Sequence, residues 1–308
     1  MKLSTTTGLC QQSWGTAALR DLNEVLQLLR EVGYDTIDLS FCFQSKTDYI
    51  LRGEDWERKI DELGDTAARL GIDFYQSHLP FIPGCSAARA PDFQKPGYAE
   101  YFAECTRRAY IASGRLGVKW AVAHPQTYPE YNYEEKATLE ANRAWQDKYV
   151  ELGIQMGVGT AIENMLPSLN RKLSARYCQH YDQLIELVDS FRDPMVGVCW
   201  DTGHANQMDL DQGRALRAIG GRLKTLHIND NHYGDRDEHL LPYMGEVDWP
   251  VVIQALVEIG YEGSLNYETG KVACGAGGEV QMELARATYQ NGLCLLNAYH
   301  KALQEKKG

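Results

Sequence analysis

Apolar residues recur along this chain in two rhythms, short runs of strand length and longer stretches at helical spacing. Leu22, Val25, Leu26, Leu29 and Val32 share one helical face, which predicts a helix over 18–32. Gly33 stands where that helix must end, and 36–39 reads as a strand. The same helix, glycine, strand punctuation returns along the chain. VGYD at Gly33 is echoed by LGID at Gly71 and LGVK at Gly117, and again at 153–162, 221–228 and 260–267. Further helices are predicted over 56–70, 98–116, 134–156, 182–191 and 278–303. Strands are predicted at 3–7, 36–39, 72–77, 120–123, 159–162, 196–200, 225–228 and 264–267.

Eight strands, each followed by a helix or crossover, give the count of an α/β fold of the (β/α)8 TIM barrel type. A doubly wound open sheet would use fewer strands and a glycine-rich phosphate turn after the first. Neither GxGxxG nor GxxxxGK[ST] occurs, and no Pro/Ser-rich linker divides the chain, so 1–308 is read as a single domain.

With strands placed, their C-terminal ends can be read, and in such a barrel that end carries the chemistry. Strand 3 ends at His78, strand 4 at His124 and strand 5 at Glu163. Strand 6 ends at Asp201 with His204 three residues on, strand 7 at His227 and strand 8 at Glu268. The stretch 199–239 is the densest, adding Asp230, Asp237 and His239. Side chains alternate along a strand. If Glu163, Asp201, His227 and Glu268 point inward, so do Ala161, Cys199, Thr225 and Asn266, while Lys224 and Leu226 face the helices.

Each of these residues has a bland reading: one histidine after a strand is commonly a turn residue, and Asp201 before Thr-Gly could cap a helix. The set is harder to explain away. Glu163, Asp201, Asp237 and Glu268 in one enclosed mouth would repel one another unless a cation held them, which points to a divalent metal. His180, His232 and His300 are read as solvated, Trp249 as packing its loop, and the cysteines as structural, with no Cys–His pair suggested by position.

Composition narrows the partner. A net charge of −11 argues against a nucleic-acid surface and favours a small-molecule substrate. No apolar run approaches the roughly 18 residues of a membrane span. The first residues lack a signal peptide's order, and the eight cysteines show no CxxC spacing, so a cytoplasmic protein with free thiols is expected.

The words IENM, WDTGH, LHIND, DEHLLPYMGEVDW and NYETG resemble the xylose-isomerase-like TIM-barrel superfamily, which holds sugar isomerases and epimerases alongside endonuclease IV-type repair enzymes. The resemblance runs from GYDTIDL to NYETG. In the epimerase branch it implies one divalent ion, Mn2+, Co2+, Mg2+ or Zn2+, on Glu163, Asp201, His227 and Glu268. It also implies that the two glutamates are catalytic, moving the proton beside the carbonyl through a metal-stabilised enediolate, and that His204 contacts substrate.

In the endonuclease IV branch the resemblance implies three zinc ions. Residues of the right type stand at all nine ligand positions, the four above with His78, His124, His204, Asp237 and His239. Those five therefore form a second tier for substrate or further metal. Trp14 and Asp38 are candidate substrate contacts, and Gly270 to Gly278 could receive a phosphate or simply connect elements. The expected function is a metal-dependent sugar isomerase or epimerase with a carbohydrate substrate, in a homodimer or homotetramer. The alternative is a zinc phosphodiesterase at abasic DNA.

Overall fold

The chain is described from a computed structural model over residues 1–11, 18–85, 87, 90–127, 134–167, 176–233, 236–273 and 276–307. Strand and principal helix alternate eight times among these residues. They run β1 (Lys2–Thr6), α1 (Leu22–Val32), β2 (Thr36–Ser40), α2 (Trp56–Leu70), β3 (Asp73–His78) and α3 (Tyr98–Arg115). Next come β4 (Trp120–Ala123), α4 (Glu135–Met156), β5 (Gly159–Glu163), α5 (Tyr181–Phe191) and β6 (Val196–Asp201). The last are α6 (Gln212–Ile219), β7 (Leu223–His227), α7 (Trp249–Ile259), β8 (Ser264–Tyr267) and α8 (Gly278–Lys307).

All strand pairs are parallel, in the order β7-β6-β5-β4-β3-β2-β1-β8. The two ends of that order meet just past β7. Ile228 N–H donates to Asn266 O at 2.7 Å, and Glu268 N–H donates to Ile228 O at 3.0 Å. The sheet thus closes as a (β/α)8 barrel, and its seam falls beside His227 and Glu268.

Element boundaries follow local chemistry. The helix expected from 18 begins instead at Leu22, because the Asp21 carboxylate accepts from Asn23 N–H at 2.8 Å and caps it there. Gly71 and Gly260 end α2 and α7 at φ 66° and 69°, a left-handed turn that a side chain disfavours, and each feeds the next strand. Strands β3, β5, β6 and β7 finish on His78, Glu163, Asp201 and His227, so the candidate ligands are the last ordered residues before the loops.

Two apolar regions flank the strands. Outward residues such as Leu39, Ile162 and Leu226 pack with the helix stripes, among them Leu26, Leu29 and Leu256. Val122, Ala161 and Cys199 form a separate cluster inside the barrel, with Trp120 below them. The alternation expected for β5 and β6 therefore holds.

It fails at Lys224. Val198 pairs with Leu223 and Cys199 with Thr225, leaving Lys224 as a bulged extra residue on β7. Its side chain does not join the helix layer. Its ammonium sits 5.6 Å from the Trp120 ring centroid, and its stem covers Gly197, where an added Cβ would lie 2.2 Å from Lys224 Cγ. No described helix is long and apolar enough to cross a membrane.

Candidate metal centre

Glu163, Asp201, His227 and Glu268 converge as the strand ends predict, with ligand atoms all within 4.8 Å of one another. His227 directs Nδ1 at the acids: Glu163 Oε1 lies at 3.0 Å, Glu268 Oε2 at 3.3 Å and Asp201 Oδ2 at 3.9 Å. Among the described residues no lysine or arginine pairs with these three carboxylates. Glu163 Oε2 is buried and accepts no hydrogen bond, although His124 Nε2 is 2.9 Å away. Three buried or half-buried carboxylates, one imidazole nitrogen and an unused oxygen form a donor set that fits a divalent ion.

The acids are held before any ion arrives. Asp201 Oδ1 accepts from His204 N–H at 2.7 Å, capping the short helix Thr202–Gln207, and Asn229 Nδ2 donates to Asp201 Oδ2 at 2.8 Å. The Asn164 amide brackets the Asp201 backbone, accepting from its N–H at 2.6 Å and donating to its carbonyl at 2.9 Å. Asn164 follows Glu163 directly and Asn229 lies two residues past His227. IEN and HIN therefore each carry a ligand and a support for Asp201, a signal that reading ligand types alone passes over.

The second tier divides. His78 and His124 join the core, with Nε2 atoms 3.4 Å and 2.9 Å from Glu163 Oε2. His204 approaches Glu163 Oε1 at 3.5 Å but turns the same Nδ1 to Asn164 O at 2.8 Å. Asp237 and His239 pair with each other at 2.9 Å, and Lys271 adds an ion pair to Asp237 at 2.9 Å. His239 Nδ1 also meets the Glu268 carbonyl at 2.6 Å.

Two other candidates lie elsewhere. Asp230 is a loop organiser: its carboxylate accepts from Asn231, Val247 and Tyr243 N–H and from Trp249 Nε1, all within 3.0 Å. Trp249 therefore packs its loop, as expected. Asp38, expected to meet substrate, does not line the cavity. It is buried below the ligands, taking Asn266 Nδ2 at 2.9 Å and Gln76 Nε2 at 3.3 Å, with His227 Nε2 at 3.9 Å. Trp14 lies outside the described residues.

One pairing was not foreseen. Cys42, from the loop after β2, places Sγ 3.1 Å from His78 Nδ1. Cys42 follows β2 and His78 ends the neighbouring β3, and only the barrel brings them together.

Burial alone would raise the Glu163 carboxyl, but His227 and His124 outweigh it and hold it well below the usual range. Glu268 moves the other way. Its burial, reinforced by Glu163 and Asp201, exceeds the pull of His227 and His239. Burial pushes His124 down to about 4. Burial would also lower His239, yet Asp237 carries it up to about 9. For His227 burial again opposes protonation, and Cys199, Glu268 and Glu163 overcome it. The carboxylates act as one concentrated negative charge.

Above the ligands lies a cavity of about 500 Å3, walled by Phe43, Phe81, Ile82, Met165 and Leu166. Its volume suits a small molecule. A wider groove of about 900 Å3, lined by Asp61, Arg115 and Lys119, sits at the strands' other end and holds none of the candidate ligands.

A family model described as xylose isomerase-like TIM barrel matches residues 26–288. A D-psicose 3-epimerase of Ruminiclostridium cellulolyticum is 23% identical over 215 residues, 68% of each chain. The crystal structure of a D-tagatose 3-epimerase-like protein superposes with a TM-score of 0.72 at 22% identity, covering 100% of both chains. IolI protein with a bound zinc atom gives 0.71 at 18% identity, covering 98% of this chain and 99% of that one. The matches to the first two curated relatives span 35% and 57% of their lengths.

Proposed function

The chain belongs to the xylose isomerase-like TIM barrel family, and from that premise we propose that it is a metal-dependent isomerase or epimerase of a sugar or sugar derivative. The observation that carries this reading is the pairing of Glu163 and Glu268 across one donor set with Asp201 and His227. Those four residues would hold the ion. When bound, it supplies positive charge to the substrate's carbonyl and neighbouring hydroxyl oxygens.

The chain's own groups do the rest. Glu163 is the carboxylate kept ionised, suited to accept a proton from the carbon beside a carbonyl. Glu268 is the one whose affinity for a proton is raised, suited to return it. Its side chain is 23% exposed while that of Glu163 is 1%, so Glu268 faces the cavity and Glu163 its floor. Apolar side chains of Phe43, Phe81 and Met165 line the wall beside the reacting groups. The sugars that these relatives are named for, D-psicose and D-tagatose, are ketoses, whose carbonyl and adjacent hydroxyl suit such a site.

The test is solvent deuterium exchange by Mn2+-loaded protein across a panel of ketoses and keto-acids, followed by mass spectrometry. Exchange should appear in at least one compound, and Glu163→Gln should slow it by about 100-fold or more, the scale of a lost general base. A panel with no exchange would sink the proposal. A second reading has its own observation. His78 and His124 bring further ligand atoms to Glu163 within 4.8 Å, a start toward the polynuclear zinc site of a phosphodiesterase. Three zinc ions per chain and incision of an abasic duplex would favour it.

A further inference from the structure

Among the described residues, the cavity lining carries two basic side chains, one lysine and one arginine, whose situations differ. Lys271 is committed, donating to the Asp237 carbonyl and pairing with its carboxylate at 2.9 Å. Arg176, half-buried in the cavity lining, has no carboxylate or hydrogen-bond partner among the described residues. It stands on the side formed by Cys85, Met165 and Leu166, and its positive field acts on the buried Cys85 thiol. An arginine in such a wall has five N–H donors in a planar fork, and no described residue accepts from them here.

A neutral polyol gives that fork only hydroxyl acceptors. A carboxylate or phosphate matches it with two parallel, charge-assisted bonds. The floor at Glu163 and Glu268 repels anions until an ion sits there, so among the described residues an acidic group is favoured against Arg176 and away from the floor. We infer that Arg176 forms an anion subsite and that the substrate is an acidic sugar, its carboxylate or phosphate on Arg176 and its carbonyl end at the candidate metal centre. The inference rests on the function proposed above for the substrate's carbonyl end, while the subsite itself depends on Arg176 alone.

The experiment uses the full chain loaded with Mn2+ and matched compounds. These are D-fructose, D-fructuronate and D-fructose 6-phosphate for exchange, and the unreactive D-glucitol, D-gluconate and D-glucitol 6-phosphate for calorimetric binding. The acidic members should exceed the neutral one by about 10- to 100-fold in kcat/KM or affinity, the range of a charge-assisted hydrogen bond. In Arg176→Gln that ratio should fall toward one, and Arg176→Lys should restore part of it. The carboxylate and phosphate arms identify which acid is carried.

A preference for neutral compounds, or an acidic preference unchanged in Arg176→Gln, overturns the subsite whatever the enzyme's reaction. Arg176-dependent binding of the acids without exchange in any compound upholds the subsite and removes the isomerase reading. Circular dichroism of each variant, matching wild type, excludes misfolding as the cause of a lost ratio.

Discussion

Asp201 owes its position to two asparagines and a glycine that none of the ligand patterns name. A Cβ on Gly203 would lie 1.8 Å from Asn229 Oδ1, a distance no packed structure tolerates. Gly203 is thus the space through which Asn229 reaches Asp201 Oδ2. Replacing it by alanine must move Asn229 and leave that oxygen to rotate. Asp38 has a parallel place behind His227. Its Oδ1 and the His227 Nε2 are both buried without hydrogen bonds, and the two side chains stand 3.9 Å apart at their nearest ion-pair atoms. A metal-bound histidine is steadied when its other ring nitrogen donates to a carboxylate. Gly203→Ala and Asp38→Ala should each weaken metal binding by about 10- to 100-fold, the usual cost of losing such support. Titration calorimetry with Mn2+ measures this, and wild-type affinity in either variant would show that its residue does not steady the ligands.

At the scale of elements, α3 is tied to its surroundings by one acid and two arginines. Glu104 accepts from Arg107 at 2.7 Å and from Arg108 at 2.7 Å, while Arg108 also donates to Leu51 O and Gly53 O in the loop before α2 and covers the Trp56 ring. The Arg107 bond chiefly, opposed by partial burial and helped by Arg108, lowers the Glu104 carboxyl to about 2. A carboxyl lowered on folding stabilises above its unfolded value of about 4.3 and stops doing so as pH falls through its folded value. Glu104 is 39% exposed, so solvent screens the effect to a modest one. Thermal melts should therefore find Glu104→Gln slightly less stable than wild type at pH 7, the difference closing as pH approaches 2. A constant gap would mean that packing, not charge, is what the variant lost.

The elements themselves were legible because each repeat writes its own boundaries. A five-residue apolar stripe at 22–32, a glycine, then a short strand needs no partner to be recognised. What stayed hidden depends on neighbours. The bulge that turns Lys224 inward exists only against β6, and the Cys42–His78 contact only across β2 and β3. Asp38, expected to contact substrate, has its carboxylate taken up by Asn266 and Gln76 inside the barrel. Asp230 looked like a ligand because residue type carries no orientation.

For the whole molecule, the ligand cluster makes stability, metal and pH one problem. Without metal, His227 holds its proton well above the ordinary histidine value, because Cys199, Glu268 and Glu163 outweigh burial. A group raised on folding stabilises fully below its unfolded value, about 6.5, and that contribution is lost as pH rises through the folded value. Chelated protein should therefore lose this part of its stability as the medium becomes more alkaline. Metal-loaded protein should behave oppositely, since the ion needs the His227 Nδ1 free of its proton and binding must release it. An ion at 100 times its Kd adds about 2.7 kcal/mol to folding, and lowering the pH raises that Kd. The gain in Tm on adding Mn2+ to chelated protein should consequently grow between pH 5 and 8, with protons released in calorimetry across buffers of different ionisation enthalpy. A gain independent of pH, or one that shrinks as pH rises, would place the ion somewhere other than on the His227 ring.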